Sequence, residues 1–343
     1  MTQAEVTMET TEEKWHASPV TSYKGTIENV RKYIPTFERR SFGPSLGTPL
    51  YRGEPTLFES PEVPAGVNPW YDTIVRVPLE SEGTSGAEIP VGIVSPQYTL
   101  LQHHTVIDEV LKAVGELGID PSQVTANMDL THFGERMRLG LILPEEFGLT
   151  IDGDDRMALR LECFNSVEGS TRFMAVIGWL RFVCSNGLII GETKTDYRRR
   201  HNQAMDIGEI VQVLRDGITS TAREERIYKK WMQHKVTDEH LEAWVNRTLA
   251  KSWGVKAAAR TWHITRKGFD VSLADPFEPG APTEKTVVRG AAVPGSILPG
   301  DTAFAVAQSL AWLAKERRDV QEQLIWKQQI PSLMQPLLRK KAA

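Results

Sequence analysis

The sequence predicts an α+β protein. A central antiparallel β-sheet is packed on one face by long helices and preceded by an irregular, Pro-rich N-terminal segment. Three observations carry this. Between about 71 and 190, apolar residues alternate with the period of half-buried strands. After 205 they recur every three to four positions, as on amphipathic helices. Between 24 and 70, Pro35, Pro44, Pro49, Pro55, Pro61, Pro64 and Pro69, with Gly among them, interrupt any regular period.

The strands follow in order. Tyr71 to Pro78 and Val91 to Val94 read as the first two. A helix from about His104 to Glu116 comes next, with Val106, Val110, Leu111 and Val114 on one side, closed by Gly115 and Gly118. Val124 to Leu130 and Phe133 to Leu143 alternate again. In the second of these Phe133, Met137, Leu139, Leu141 and Leu143 point one way, and Arg136, Arg138 and Gly140 the other. Met157, Leu159, Leu161 and Cys163 form the apolar row of the next strand, with Arg160 and Glu162 opposite. The run from Arg172 to Val183 is apolar on both faces: Phe173, Ala175, Ile177 and Trp179 on one, Met174, Val176, Leu180 and Phe182 on the other. Such a strand has both faces covered. Ser166-Val167-Glu168-Gly169-Ser170 joins these two as a hairpin turn, and Ser185-Asn186-Gly187 is a further turn.

Beyond the sheet, Met205 to about Lys235 is a long helix with Ile207, Ile210, Val211, Leu214 and Ile218 as its apolar stripe. Thr237 caps a second helix over about 238–249. One last helix is expected from about Thr302 to Gln329. The expected organisation is an acidic disordered arm over 1–22, an irregular wrap over 23–70 and a single domain over 71–329. Within the domain 275–300 is a loop, and a basic tail occupies 330–343.

A chain of 343 residues with 41% hydrophobic and 24% charged residues has the composition of a soluble globular protein. The net charge of -4 argues against indiscriminate coating of nucleic acid, yet permits a local basic groove. No apolar run approaches the ~20 residues that span a bilayer, so no membrane partner is expected. Cys163 and Cys184, both in strand-like surroundings, read as buried thiols of a cytoplasmic protein.

For chemistry, the conspicuous stretch is Lys194 to Asn202, with Tyr197, Arg198, Arg199, Arg200 and His201 between. So many close cations repel one another unless neutralised, and Glu192 and Asp196 do only part of that. A phosphate backbone would do the rest through Arg forks, with Tyr197 for base stacking; a solvated connector is the plain alternative. Arg136, Arg138 and Arg160 on the polar sheet face extend the candidate groove, unless Arg160 and Glu162 are simply ion-paired. A second basic and aromatic segment holds Lys256, Arg260, Trp262, His263, Arg266 and Lys267. No phosphate-binding Gly-rich loop, nucleophile elbow or HExxH is present, so no cofactor or catalytic residue is predicted. Scattered Asp and Glu leave a metal-dependent nuclease as a third-ranked alternative.

Asn165-Ser166-Val167-Glu168-Gly169-Ser170, followed by Arg181-Phe182-Val183-Cys184-Ser185-Asn186-Gly187-Leu188, resembles the signature of a family of phage- and plasmid-like proteins that carry a domain of unknown function. Tyr98, Arg200-His201-Asn202 and Asp301-Thr302-Ala303-Phe304 add to the resemblance, which covers roughly 70–320. Val167-Glu168 departs from it, standing where an aromatic or His and Asp are usual. The outline is also similar to single-strand annealing proteins, a fold-level analogy. Together these readings predict a homo-oligomer that binds single-stranded DNA and anneals strands in a mobile-element system. A protein-interaction or scaffolding component of such an element is the alternative.

Overall fold

The period-two stretches between 124 and 181 lie in a nine-stranded antiparallel sheet. Those at 72–77 and 89–94, expected in the same sheet, instead join 36–41 of the expected irregular wrap in a separate three-stranded sheet. The three-to-four stretches form helices. The structure, a computed structural model, describes residues 6–42, 68, 70–79, 88–152, 155–181, 187–188, 197–199, 209–273 and 287–339. The chain begins with β1 (Thr7–Trp15), β2 (Ser18–Thr26), α1 (Ile27–Val30), β3 (Thr36–Ser41), β4 (Asp72–Val77), β5 (Ile89–Val94) and α2 (His103–Glu116). The body of the sheet follows: β6 (Thr125–Thr131), β7 (Arg136–Ile142), β8 (Leu149–Asp152), β9 (Asp155–Ser166), β10 (Phe173–Arg181), β11 (Gly187–Leu188) and β12 (Tyr197–Arg199). Then come α3 (Glu209–Gln233), α4 (Asp238–Trp244), a π turn (Val245–Leu249), α5 (Ala250–Trp253), α6 (Val255–Lys267), β13 (Phe269–Leu273), β14 (Val287–Ala292), α7 (Ala303–Lys315) and α8 (Val320–Leu338).

The large sheet runs β1-β2-β6-β7-β9-β10-β11, with β12 beside the other half of β10 and β8 beside β9. Neighbouring strands are antiparallel throughout. Its apolar face carries Ala126 and Met128 of β6, Met137, Leu139 and Leu141 of β7, and Leu159, Leu161 and Cys163 of β9. Phe173, Ala175, Ile177 and Trp179 of β10 complete it. Residues of α2, α7 and the C-terminal half of α8 share that core. Met174 and Val176, the other side of β10, sit in a second core with Trp15, Phe164, Val320 and Leu324. Both faces of β10 are therefore covered, as its unbroken apolarity requires. Thr237 caps its helix as the sequence indicates, accepting from the His240 amide, and Thr302 caps α7 by accepting from the Ala305 amide.

Four further expectations need correction. Residues 7–26 are the β1–β2 hairpin at the sheet edge, not a disordered arm; the alternation is hidden because an edge strand of Thr and Glu has little apolar signal. The last helix is two. Asp319 starts α8 by accepting from the Gln321 and Glu322 amides, a cap masked by the apolar period continuing through Val320 and Leu324. Nor does a basic tail begin at 330, since Ile330, Leu333, Met334 and Leu337 are buried in the domain core. The expected loop over 275–300 contains β14, which pairs with β13.

Candidate nucleic-acid interface

Register decides which predicted cations meet. Arg138 of β7 lies opposite Phe164 of β9, Phe164 opposite Met174 of β10, and Met174 opposite Arg198 of β12. Arg138 and Arg198 thus share one cross-strand row, about 14 Å apart at three strand spacings. Tyr197 and Arg199 are in register with Ala175 and Phe173. Lys194, Arg200, His201 and Asn202 lie outside the described residues.

The row is not an open groove. Phe164 and Met174 are buried under the N-terminal half of α8, and the arginines of β7 are largely covered too. Arg136 is 13% exposed and Arg138 11%. Arg136 Nε donates to Glu168 Oε1 at 2.5 Å and its Nη1 to the Trp15 carbonyl at 2.7 Å. Arg138 pairs with Asp129, which also accepts from the Ser22 hydroxyl. Arg138 Nη1 donates to Gln323 Oε1 of α8 at 2.9 Å. Arg160 Nε lies 3.0 Å from Glu162 Oε1, and Lys327 Nζ of α8 reaches the same oxygen at 3.7 Å. Arg136, Arg138, Arg160 and Lys327 are thus matched by Glu135, Glu168, Asp129 and Glu162 in a neutral layer between sheet and helix. Burial alone would raise the Glu162 pKa. Arg160, Lys327 and Arg138 outweigh that and hold it at about 2. Of the two arrangements open to Arg160, the ion pair with Glu162 is the one that forms.

The Asn165–Ser170 signature is a joint. Asn165 Nδ2 donates to the Leu101 carbonyl and to His103 Nδ1, both at 2.9 Å, which leaves His103 Nε2 to donate to the Gly134 carbonyl at 2.8 Å. Ser166 Oγ closes the turn on the Thr171 backbone, and the Tyr98 hydroxyl donates to the Ser166 carbonyl. Gly169 has φ +82°, and a Cβ there would meet the Tyr98 ring at 3.1 Å. Glu168 supplies the buried counter-charge of Arg136. The basic and aromatic segment at 253–267 is likewise occupied internally. Arg260 forks onto Asp270, and Arg266 holds the Gly300 and Val236 carbonyls and Asp238.

What charge density along the chain does not reveal is the outer side of α3, which packs beside β12. Arg215, Thr219, Arg223, Arg226 and Lys230 are exposed and recur at helical spacing on the side away from the buried Tyr228. Arg215 and Lys230 are about 22 Å apart at 1.5 Å per residue. Among the described residues of that side, Asp216 is an acid, and it accepts from Gln212; Lys229 is paired with Glu225 at 2.6 Å. The signal lay in the residues complementary to the apolar stripe. Among the described residues, no group of three or more His, Cys, Asp or Glu could hold a metal ion, and no helix is long and apolar enough to cross a membrane.

Residues 90–318 match the family described as a domain of unknown function, DUF932, and the chain belongs to that family. No curated protein and no solved structure matches it.

Proposed function

We propose that this protein is a homo-oligomer that binds single-stranded DNA without covalent chemistry, through the solvent face of α3 and the adjoining β12, within a phage or plasmid recombination or replication system. The observation that carries the reading is the α3 stripe: Arg215, Arg223, Arg226 and Lys230 exposed along one line of a protein whose net charge is -4. A basic line on a slightly acidic surface confines a polyanion to one track. Arg198 and Arg199 continue the positive charge into β12, and Tyr197 supplies an aromatic ring for base stacking. Arg136, Arg138 and Arg160 are left out of this track. They lie on the other face of the sheet, where Arg136 holds Glu168, Arg138 holds Asp129 and Gln323 of α8, and Arg160 shares Glu162 with Lys327. Strand annealing extends this reading, because two strands must be held extended with their bases outward.

Titration of labelled single- and double-stranded DNA at two salt concentrations tests it. Affinity should fall steeply with salt, and removing each phosphate-binding cation should reduce the slope by about 0.7 on single strands. The double reversal R223E/K230E should weaken single-strand binding at least tenfold, about 1.4 kcal/mol, without lowering Tm. Wild-type affinity in that variant would remove α3 from the interface. Absence of salt-sensitive binding in the native chain would transfer the assignment to a protein-interaction or scaffolding role.

A further inference from the structure

Among the described strands the large sheet does not close on itself, and its two ends differ in charge. At one end lies β1, which pairs with β2. Among the described residues, the outer side of β1 is engaged only at its C-terminal end, where Lys14 bridges Asp319 and donates its amide to the Arg318 carbonyl at 2.8 Å. At the other end β12 pairs with β10, and no further described strand lies beyond it. An open strand edge is a row of unpaired donors and acceptors, a template for another strand. The β1 sequence is TMETTEEKW, with Glu9, Glu12 and Glu13 preceding the tethered Lys14. The β12 sequence is YRR. Pairing β1 with β1 would set Glu against Glu, and pairing β12 with β12 would set Arg against Arg; like charges facing each other across strands are destabilising. Only the unlike edges attract.

Strand direction adds a second constraint. Six antiparallel steps separate β1 from β12, so the two edges run the same way. A copy added in the same orientation therefore offers β1 parallel to the β12 it meets.

We propose that copies of this chain associate head to tail, with the Tyr197–Arg199 edge of one copy pairing in parallel with the Thr7–Glu13 edge of the next. Such an interface is heterologous. It closes into a ring if the rotation per copy allows, and otherwise extends as a filament. The short strand pairing supplies direction, and the acid–base match supplies selectivity. This deepens the homo-oligomer of the proposed function by naming its interface, and it does not require nucleic acid.

The test uses the full chain without nucleic acid, with mass followed by light scattering and sedimentation as concentration rises. Wild type should be multimeric. The acid-to-base variant E9K/E12K/E13K and the base-to-acid variant R198E/R199E should each fall to monomer. Mixing the two should restore association, because each edge of one variant then meets its complement on the other. Combining all five changes in one chain should also restore it. A reversal that lowers Tm is replaced by its neutral counterpart, E9Q/E12Q/E13Q or R198Q/R199Q, which must still weaken association. A monomeric wild type, single variants that associate normally, or a mixture that stays monomeric would each overturn the proposal. A multimeric protein that binds no DNA would leave this interface standing and remove the DNA-binding reading alone.

Discussion

The two faces of the sheet share one alternation and differ in what covers them. Met137, Leu139, Leu141, Leu159, Leu161, Ile177 and Trp179 meet an apolar layer that includes α2 and α7. One residue along each strand, Arg138, Arg160 and Glu162 meet Gln323 and Lys327 of α8, flanked by the small apolar cluster around Trp15 and Phe164. The first face is held by burial of apolar area, which scales with surface and forgives exchange of similar volumes. The second is held by matched charges, where the geometry of each partner counts and removing one leaves the others uncompensated. α8 spans both regimes. Its Val320–Lys327 half lies on the ionic layer, and its Ile330–Leu337 half is in the main core.

The largest expected effect is on the apolar face. Trp179 is 1% exposed in β10. Trp179→Ala should cost about 3–5 kcal/mol, read as a fall in Tm and in the denaturant midpoint. An unchanged midpoint would mean that β10 is not the centre of this core.

On the ionic face, Glu162→Ala leaves Arg160 and Lys327 without their shared carboxylate and should cost about 3 kcal/mol, the low end for breaking a buried pair, because Asp129 still balances Arg138. Replacing Glu162 and Lys327 together by Leu and Met should cost much less than the two single changes summed, and urea titration of all three variants measures that coupling. Equal costs on a strictly additive scale would show that the layer is solvated and not a unit. The same carboxylate predicts an acid limb. Its folded pKa, about 2, lies below the ordinary 4.5, so its stabilisation is complete above about pH 5 and is lost as pH falls from there towards 2. Glu162→Gln should flatten the fall of Tm over that window.

How much of this was legible follows from the same contrast. Period two fixed the facing of β7, β9 and β10 because a one-residue slip would exchange an apolar row for a charged one. The Arg136, Arg138, Arg160 row was legible as a row. What covers it was not, since Gln323 and Lys327 read in sequence as ordinary surface residues of a helix whose start was hidden. The edge hairpin at 7–26 was illegible for the opposite reason: backbone pairing with β6 holds it, and Thr and Glu leave little apolar alternation to find. Of the predicted site, Tyr197, Arg198 and Arg199 are placed at a strand edge. The α3 stripe needed burial, and not charge density, to be seen.

The smallest expected effect probes the closest approach on the ionic face. Gly140 of β7 has no backbone strain to relieve; its importance is space. A Cβ at that position would lie 2.6 Å from Arg160 Nη2 and 3.1 Å from Nε. Those atoms end a flexible side chain, so the guanidinium can move. It moves away from Glu162, though, lengthening a pair that now stands at 3.0 Å. Gly140→Ala should therefore cost about 1 kcal/mol, despite the gain from replacing a strand glycine, worth roughly 0.5–1 kcal/mol by itself. The cycle with Arg160→Met separates the two contributions. Without the guanidinium the clash is gone and only the backbone gain remains, so Gly140→Ala in that background should be neutral or stabilising. A cost that persists unchanged when Arg160 is absent would place the crowding elsewhere and would count against the tight ionic packing that distinguishes this face from the other.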